Sequence, residues 1–231
     1  MLKTLAIKNN LTKINFSDGS GTNRIKYIVI HYFGSLGTAY NVSEFFRSAY
    51  RGASAHLSLD ETKTVWRSVE DKNIAWHCGA KSYVHPLCRN SNSIGIEVRP
   101  YILDKSQSGS ASYKGWYFSD EIENNLVELV KHYMELYKIP KENVIRHYDV
   151  TGKWCPRPYM GTDVNLYYNE AGEERWRKFL AKLDNKDAPS DWAKEAWEKA
   201  TKLKVIDGTR PQGEVTREQL VVVLDRLNLL K

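Results

Sequence analysis

The chain has 231 residues, is 42% hydrophobic and 27% charged, and carries 34 Lys and Arg against 28 Asp and Glu, a net charge of +6. That length admits one sizeable core, or a main domain with a small companion, and the composition excludes a wholly disordered or collagen-like chain. No apolar run nears the roughly 18–20 residues that cross a bilayer, residues 1–13 lack a leader pattern, and no run of five basic residues marks a nucleic-acid arm.

A product made in the cytoplasm, with no transmembrane segment, no signal peptide and no nucleic-acid partner, is therefore expected. Ile25-Lys26-Tyr27-Ile28-Val29-Ile30-His31-Tyr32 is β-branched and aromatic, and predicts a central strand buried on both faces. A helix follows over residues 41–50, with Ser43 as its N-cap, Phe45 and Phe46 to bury, and Gly52 to stop it. Residues 55–59 and 64–69 read as short strands joined by a hairpin at 60–63, and residues 93–98 as a buried strand ended by Pro100.

A polar loop spans 104–115. The strongest helical period covers 120–137, opened by an Asp120 and Glu123 capping box and closed by Pro140. Residues 144–146 form a strand leading into a loop, and 173–183 a last helix of the main domain. Strands interleaved with helices give an α/β fold, a mixed central sheet flanked by helices. The expected boundaries are a main domain at 1–183, a polar linker at 184–190 and a small all-α helical pair at 191–231, its second helix opened by a Thr216 to Gln219 capping box. A unit that small needs something to pack on: the main domain, a second copy or a ligand.

The chemistry concentrates in a few side chains. His31 ends a buried strand, where a plain core histidine is the ordinary reading. His147-Tyr-Asp-Val-Thr-Gly-Lys153-Trp-Cys155-Pro156 alters that, because imidazole and thiolate are ligands zinc prefers and three protein ligands with one open position make a catalytic site. A rival set, His77, Cys78, His85 and Cys88, could close a structural zinc site, although adjacent residues rarely point at one centre. Lys153, two residues before Cys155, could hydrogen-bond a developing oxyanion or simply be solvated. Glu97 lies in an otherwise apolar strand, where a carboxylate needs either an ion-pair partner or a task such as general base.

Tyr27-Ile28-Val29-Ile30-His31, Ser54-Ala55-His56, Ala75-Trp76-His77-Cys78-Gly79, Asn92-Ser93-Ile94-Gly95-Ile96-Glu97 and the His147 to Cys155-Pro156 segment occur in an order that resembles the zinc-dependent N-acetylmuramoyl-L-alanine amidases of type 2, a group that includes phage lysozyme-like amidases and peptidoglycan recognition proteins. The resemblance implies zinc held by His31, His147 and Cys155 at one end of a peptidoglycan groove, Glu97 as base, Lys153 as oxyanion donor, and His56, Trp76 and His77 along the groove. One branch of the group uses a tyrosine just before the second-motif histidine; Ala55 stands there, which shifts the base to Glu97. The implied activity cuts the bond between N-acetylmuramic acid and L-alanine, as in a phage endolysin; a non-catalytic peptidoglycan-binding module of the same fold is the alternative.

The tail, from Trp192-Ala193-Lys194-Glu195-Ala196 through Val205-Ile206-Asp207-Gly208 to Thr216-Arg217-Glu218, is similar to a single S-layer homology repeat. That similarity implies attachment to an anionic wall polymer, with Arg217 pairing and Trp192 or Trp197 stacking on sugars. A purely structural or dimerising helical pair is the other reading. Of the +6 charge, +5 lies in residues 1–187, which suits an anionic wall as partner of the main domain.

Overall fold

The computed structural model describes residues 2–108, 110, 113–184, 189, 191–208, 215–227 and 229–230, and separates the chain into two units, Met1–Leu183 and Asp184–Lys231. In chain order the first unit contains β1 (Ala6–Asn9), β2 (Phe16–Ser17), β3 (Tyr27–Tyr32), α1 (Ala39–Ser48), β4 (Leu57–Leu59), β5 (Thr64–Arg67), β6 (Ile74–Ala75), β7 (Ser93–Val98), β8 (Tyr101–Ile102), β9 (Trp116–Tyr117), α2 (Asp120–Tyr137), β10 (Val144–Arg146), α3 (His147–Thr151) and α4 (Gly172–Lys182). The second contains α5 (Lys194–Lys202) and α6 (Arg217–Arg226). The main sheet runs β1-β5-β4-β7-β3-β10, parallel throughout except for the β4–β5 hairpin. It is the mixed, helix-flanked sheet that the sequence predicts.

Alternation along β3 and β7 sorts the sheet into two faces. Ile28, Ile30, Ile94, Ile96 and Val98 join Leu57, Leu59 and Val144 under Ile122, Leu126, Leu129, Val130 and Tyr133 of α2. Each such fully buried aliphatic side chain contributes roughly 1.5–3 kcal/mol. Tyr27, Val29 and Ile145 face the other way, into a smaller cluster with Cys78, Cys88 and Val150. His31, Ser93, Gly95 and Glu97 share that parity, with His31 directly opposite Glu97 in the β3–β7 register.

Caps and buried charges differ from expectation. Helix α1 starts at Thr38, not Ser43: the Thr38 hydroxyl accepts from the Asn41 amide and the Asn41 side chain accepts from the Thr38 amide. Ser43 instead sits buried in mid-helix and donates to the Tyr40 carbonyl. Gly52 does not stop α1 either, because Asn15 reaches its last turn first and donates to the Phe46 and Ala49 carbonyls, each at 2.7 Å. Only Phe46 is buried; Phe45 lies exposed under the Arg51 guanidinium.

The α2 cap is Ser119, whose hydroxyl accepts from the Ile122 amide, and this leaves Glu123 free of a capping role. Glu123 is 0% exposed and accepts from Arg175 at 2.7 Å, from the Tyr159 hydroxyl at 3.1 Å and from Lys182. This buried network ties α4 to α2. Asn125 donates to the Asp60 and Thr62 carbonyls and so clamps the β4–β5 turn onto α2.

In the second unit the Thr216 and Gln219 capping box forms as expected. Along α6, Leu220 and Leu227 are exposed and Val223 and Leu224 are half-buried. Trp192 lies 90% exposed on a 3-10 turn that precedes α5, and Arg217 is exposed. Most of the expected 184–190 linker falls outside the described residues. No described helix is long and apolar enough to cross a membrane.

Candidate metal centre

His31 arrives near the end of β3, and two local devices bring His147 and Cys155 to it. Residues 147–151, expected as loop, form the short helix α3, because the Asp149 carboxylate accepts from the Arg146 amide at 2.8 Å and grips the Arg146 guanidinium with both oxygens. Arg146 is itself fixed by the Tyr159 carbonyl and Glu173. Gly152 then takes a left-handed conformation, φ +80°, and reverses the chain. The Tyr148 amide donates to the Cys155 carbonyl at 2.9 Å, which closes the loop and holds His147 and Cys155 on one side of it.

One ligand atom from each of His31, His147 and Cys155 lies within 4.8 Å of the other two, and all three residues are buried. No other cluster of three or more His, Cys, Asp or Glu suited to a metal occurs among the described residues. The rival set is thereby corrected. His85 Nδ1 is occupied as acceptor of the Leu87 and Cys88 amides, while Cys78 and Cys88 are buried free thiols in the small apolar cluster.

Burial removes charge from the triad. It lowers His31 well below the ordinary imidazole value, with His147, His77 and Lys153 acting in the same direction. It lowers His147 to about 3, helped by Lys153 and His77, and raises the Cys155 thiol, helped by the nearby Glu97 carboxylate. The imidazoles are thus neutral, with lone pairs available, and His147 Nδ1 is buried without a hydrogen-bond partner. Two imidazoles, one with an orphaned ring nitrogen, and a thiol fit zinc, which takes this donor set and leaves a fourth position open.

A cavity of about 430 Å³ opens over the triad, lined by Tyr32, Trp76, His77, Glu97, Lys153 and Trp154 among others. Glu97 extends from β7 with Oε2 buried and unpartnered, and burial pushes its carboxyl up to about 8 against the pull of Lys153. Among the described residues no ion pair satisfies that oxygen. Lys153 is exposed at the rim. Trp76 is held at the wall by its indole N–H donating to the Ser17 hydroxyl at 2.9 Å.

His56 does not reach the groove. It is 0% exposed; its Nδ1 accepts from the Gly95 amide at 3.0 Å and its Nε2 donates to the Asn73 carbonyl at 3.2 Å. Burial keeps it neutral, so it is a strut between β7 and the chain before β6. Tyr32, Trp154 and Arg157 line the cavity and were not singled out from sequence. Their proximity to His31 and Cys155 was the available signal, and it carries no chemistry without the fold. Trp154 and Arg157 also wall a second hollow with Tyr113, Lys114, Met160 and Asp163.

A profile of the N-acetylmuramoyl-L-alanine amidase family matches residues 21–158, a span that holds the triad, Glu97 and Lys153. The chain belongs to that family. A probable N-acetylmuramoyl-L-alanine amidase of Bacillus licheniformis is 29% identical over 161 residues, 66% of this chain and 42% of that protein. The amidase CwlL of the same species is 27% identical over 170 residues, 69% of this chain and 44% of that protein. The chain therefore spans less than half the length of these curated relatives. The solved structure of PlyL superposes with a TM-score of 0.57 at 27% identity, covering 78% of this chain and 97% of that one.

Proposed function

We propose that this amidase-family chain hydrolyses the amide between N-acetylmuramic acid and L-alanine in bacterial peptidoglycan, with a zinc ion as its cofactor. The observation that carries the reading is the convergence of His31, His147 and Cys155 beneath a groove into which Glu97 turns an unpartnered oxygen. Zinc in such a site polarises a carbonyl and lowers the pKa of water. The rest of the work falls to this chain's own side chains.

Glu97 Oε2 is the proton acceptor for the attacking water, since a carboxyl raised toward neutral pH is a stronger base once ionised. Lys153 at the rim donates to the lactyl oxygen as negative charge gathers there. The proton held on Glu97 then passes to the leaving alanine nitrogen. Trp76 and Trp154 offer flat faces for sugar or peptide along the groove.

The narrower parts of the proposal have narrower support. A phage endolysin is the form of amidase that the sequence resemblance suggests. Wall attachment by the second unit rests on its motif and on the exposure of Trp192 and Arg217. Digestion of purified peptidoglycan tests the activity: new alanine amino groups without new reducing ends are expected. New reducing ends would show a glycosidase, and neither product would show a binding module.

A further inference from the structure

His77 stands behind His31 and ahead of Ser93, and both of its ring nitrogens are engaged. The hydrogens in this row can be assigned by elimination. The Ser93 hydroxyl has one hydrogen, and it goes to the Arg89 carbonyl at 2.7 Å. Ser93 Oγ therefore acts as acceptor toward His77 Nε2, 3.1 Å away, so Nε2 carries the His77 hydrogen. A neutral imidazole has one N–H, which leaves His77 Nδ1 as an acceptor. Its partner at 3.0 Å is His31 Nε2, so the His31 hydrogen is there. The lone pair of His31 is left on Nδ1, the nitrogen that faces Cys155 Sγ at 3.9 Å.

We propose that His77 is a positioning residue: with Ser93 and the Arg89 carbonyl it forms a one-directional row of hydrogen bonds that fixes His31 as the Nε2–H tautomer, aims its Nδ1 lone pair at the metal position and so sets the affinity of the triad for zinc. Ligating histidines gain orientation and basicity from an acceptor on their other nitrogen, and loss of such an acceptor typically weakens metal binding about 10–100-fold.

The row is built rather than incidental. The His77 ring lies flat against β7 at Gly95, where a Cβ would fall 2.5 Å from His77 Cγ, so only glycine admits the ring. The His77 amide donates to Asn90 Oδ1 at 3.1 Å, which fixes the ring's backbone. The far end is fixed as well: the Arg89 amide donates to Asn92 Oδ1 at 2.8 Å, and its guanidinium is anchored on the His85 and Cys88 carbonyls. With both nitrogens committed, His77 has no free hydrogen-bonding atom to offer a substrate. His77 still lines the groove, and the positioning role rests on the triad being the zinc site proposed above.

Nitrogen-15 NMR of the full metal-free chain reads the tautomers directly, and zinc competition against a chromophoric chelator reads affinity, both independently of amidase activity. Wild type is expected to show His31 and His77 as Nε2–H. His77→Leu removes the acceptor, and is expected to weaken zinc binding about 10–100-fold and to give His31 a mixture of tautomers. His77→Asn places an amide oxygen at the position of Nδ1 and is expected to restore affinity to within about threefold. Ser93→Ala is expected to loosen the His77 tautomer with a smaller loss. An Nδ1–H His31 in the wild type, or wild-type affinity in His77→Leu, would overturn the proposal. So would weakened binding with the His31 tautomer unchanged, because that would be a packing effect. If His77→Leu does not fold, the wild-type tautomers and the Asn and Ala variants decide. A wild-type chain that binds no zinc but shows the assigned tautomers would refute the cofactor and leave the row intact.

Discussion

The two faces of the central sheet are made from the same strands and obey different rules. Under α2, Ile28, Ile30, Ile94, Ile96 and Val98 of β3 and β7 are packed to exclude water, and only Tyr32 at the end of β3 is half-buried. On the opposite face the alternate positions are Tyr27, Val29, His31, Ser93, Gly95 and Glu97, and here Glu97 Oε2 and, beside it on β4, Ser58 Oγ are buried without partners. The first face supplies stability and the second spends some of it. The rigidity of the packed face is what lets the polar face hold His31 opposite Glu97 without collapsing onto them.

Substitutions sharpen that contrast. The largest stability effect is expected at Glu123, where Ala leaves Arg175 and Lys182 facing a buried gap and costs about 3–5 kcal/mol, read as a lowered denaturation midpoint. On the packed face, Ile96→Ala is expected to cost about 2–4 kcal/mol through lost burial and a residual cavity. On the polar face, Ser58→Ala removes a buried hydroxyl with no partner and is expected to be neutral or to stabilise by up to about 1 kcal/mol. A Ser58→Ala cost matching that of Ile96→Ala would erase the distinction.

A smaller effect concerns pH. Burial alone would raise the Glu128 carboxyl, but the Thr4 hydroxyl and the backbone amides of Thr4, Leu5 and Lys3 bring it down to about 2. Its folded value is thus below the ordinary carboxylate value of about 4.3. The stabilisation is complete above that ordinary value and fades as pH falls toward 2. Glu128→Gln should flatten the acid limb of the stability curve over this window, and an unchanged limb would contradict the assignment.

How much of this was legible in the sequence follows from where the information sits. β3, β7 and α2 were readable because their own residues repeat with the right period. The edge strand β1 was not, since Ala6-Ile7-Lys8-Asn9 does not alternate, is mostly exposed and is held by pairing with β5. The α3 turn was missed because its cap is an ion pair, Arg146 with Asp149, in place of a Ser, Thr or Asn. The end of α1 was misplaced because its cap, Asn15, arrives from a distant part of the chain.

At the site, the ordered motifs pointed to His31, His147 and Cys155, which the fold brings together, and to Glu97 and Lys153, which line the cavity beside them. They could not separate His56 from His77, because a strut and a positioning histidine look alike until their hydrogen bonds are traced.

Cobalt substitution tests the central claim most directly. The cobalt(II)-loaded chain is expected to show a thiolate-to-metal charge-transfer band and tetrahedral ligand-field bands at one ion per chain. The charge-transfer band should vanish in Cys155→Ser and survive in Cys78→Ser and Cys88→Ser. A band that persists in Cys155→Ser, or is lost when Cys78 or Cys88 is replaced, would contradict a metal centre built on His31, His147 and Cys155.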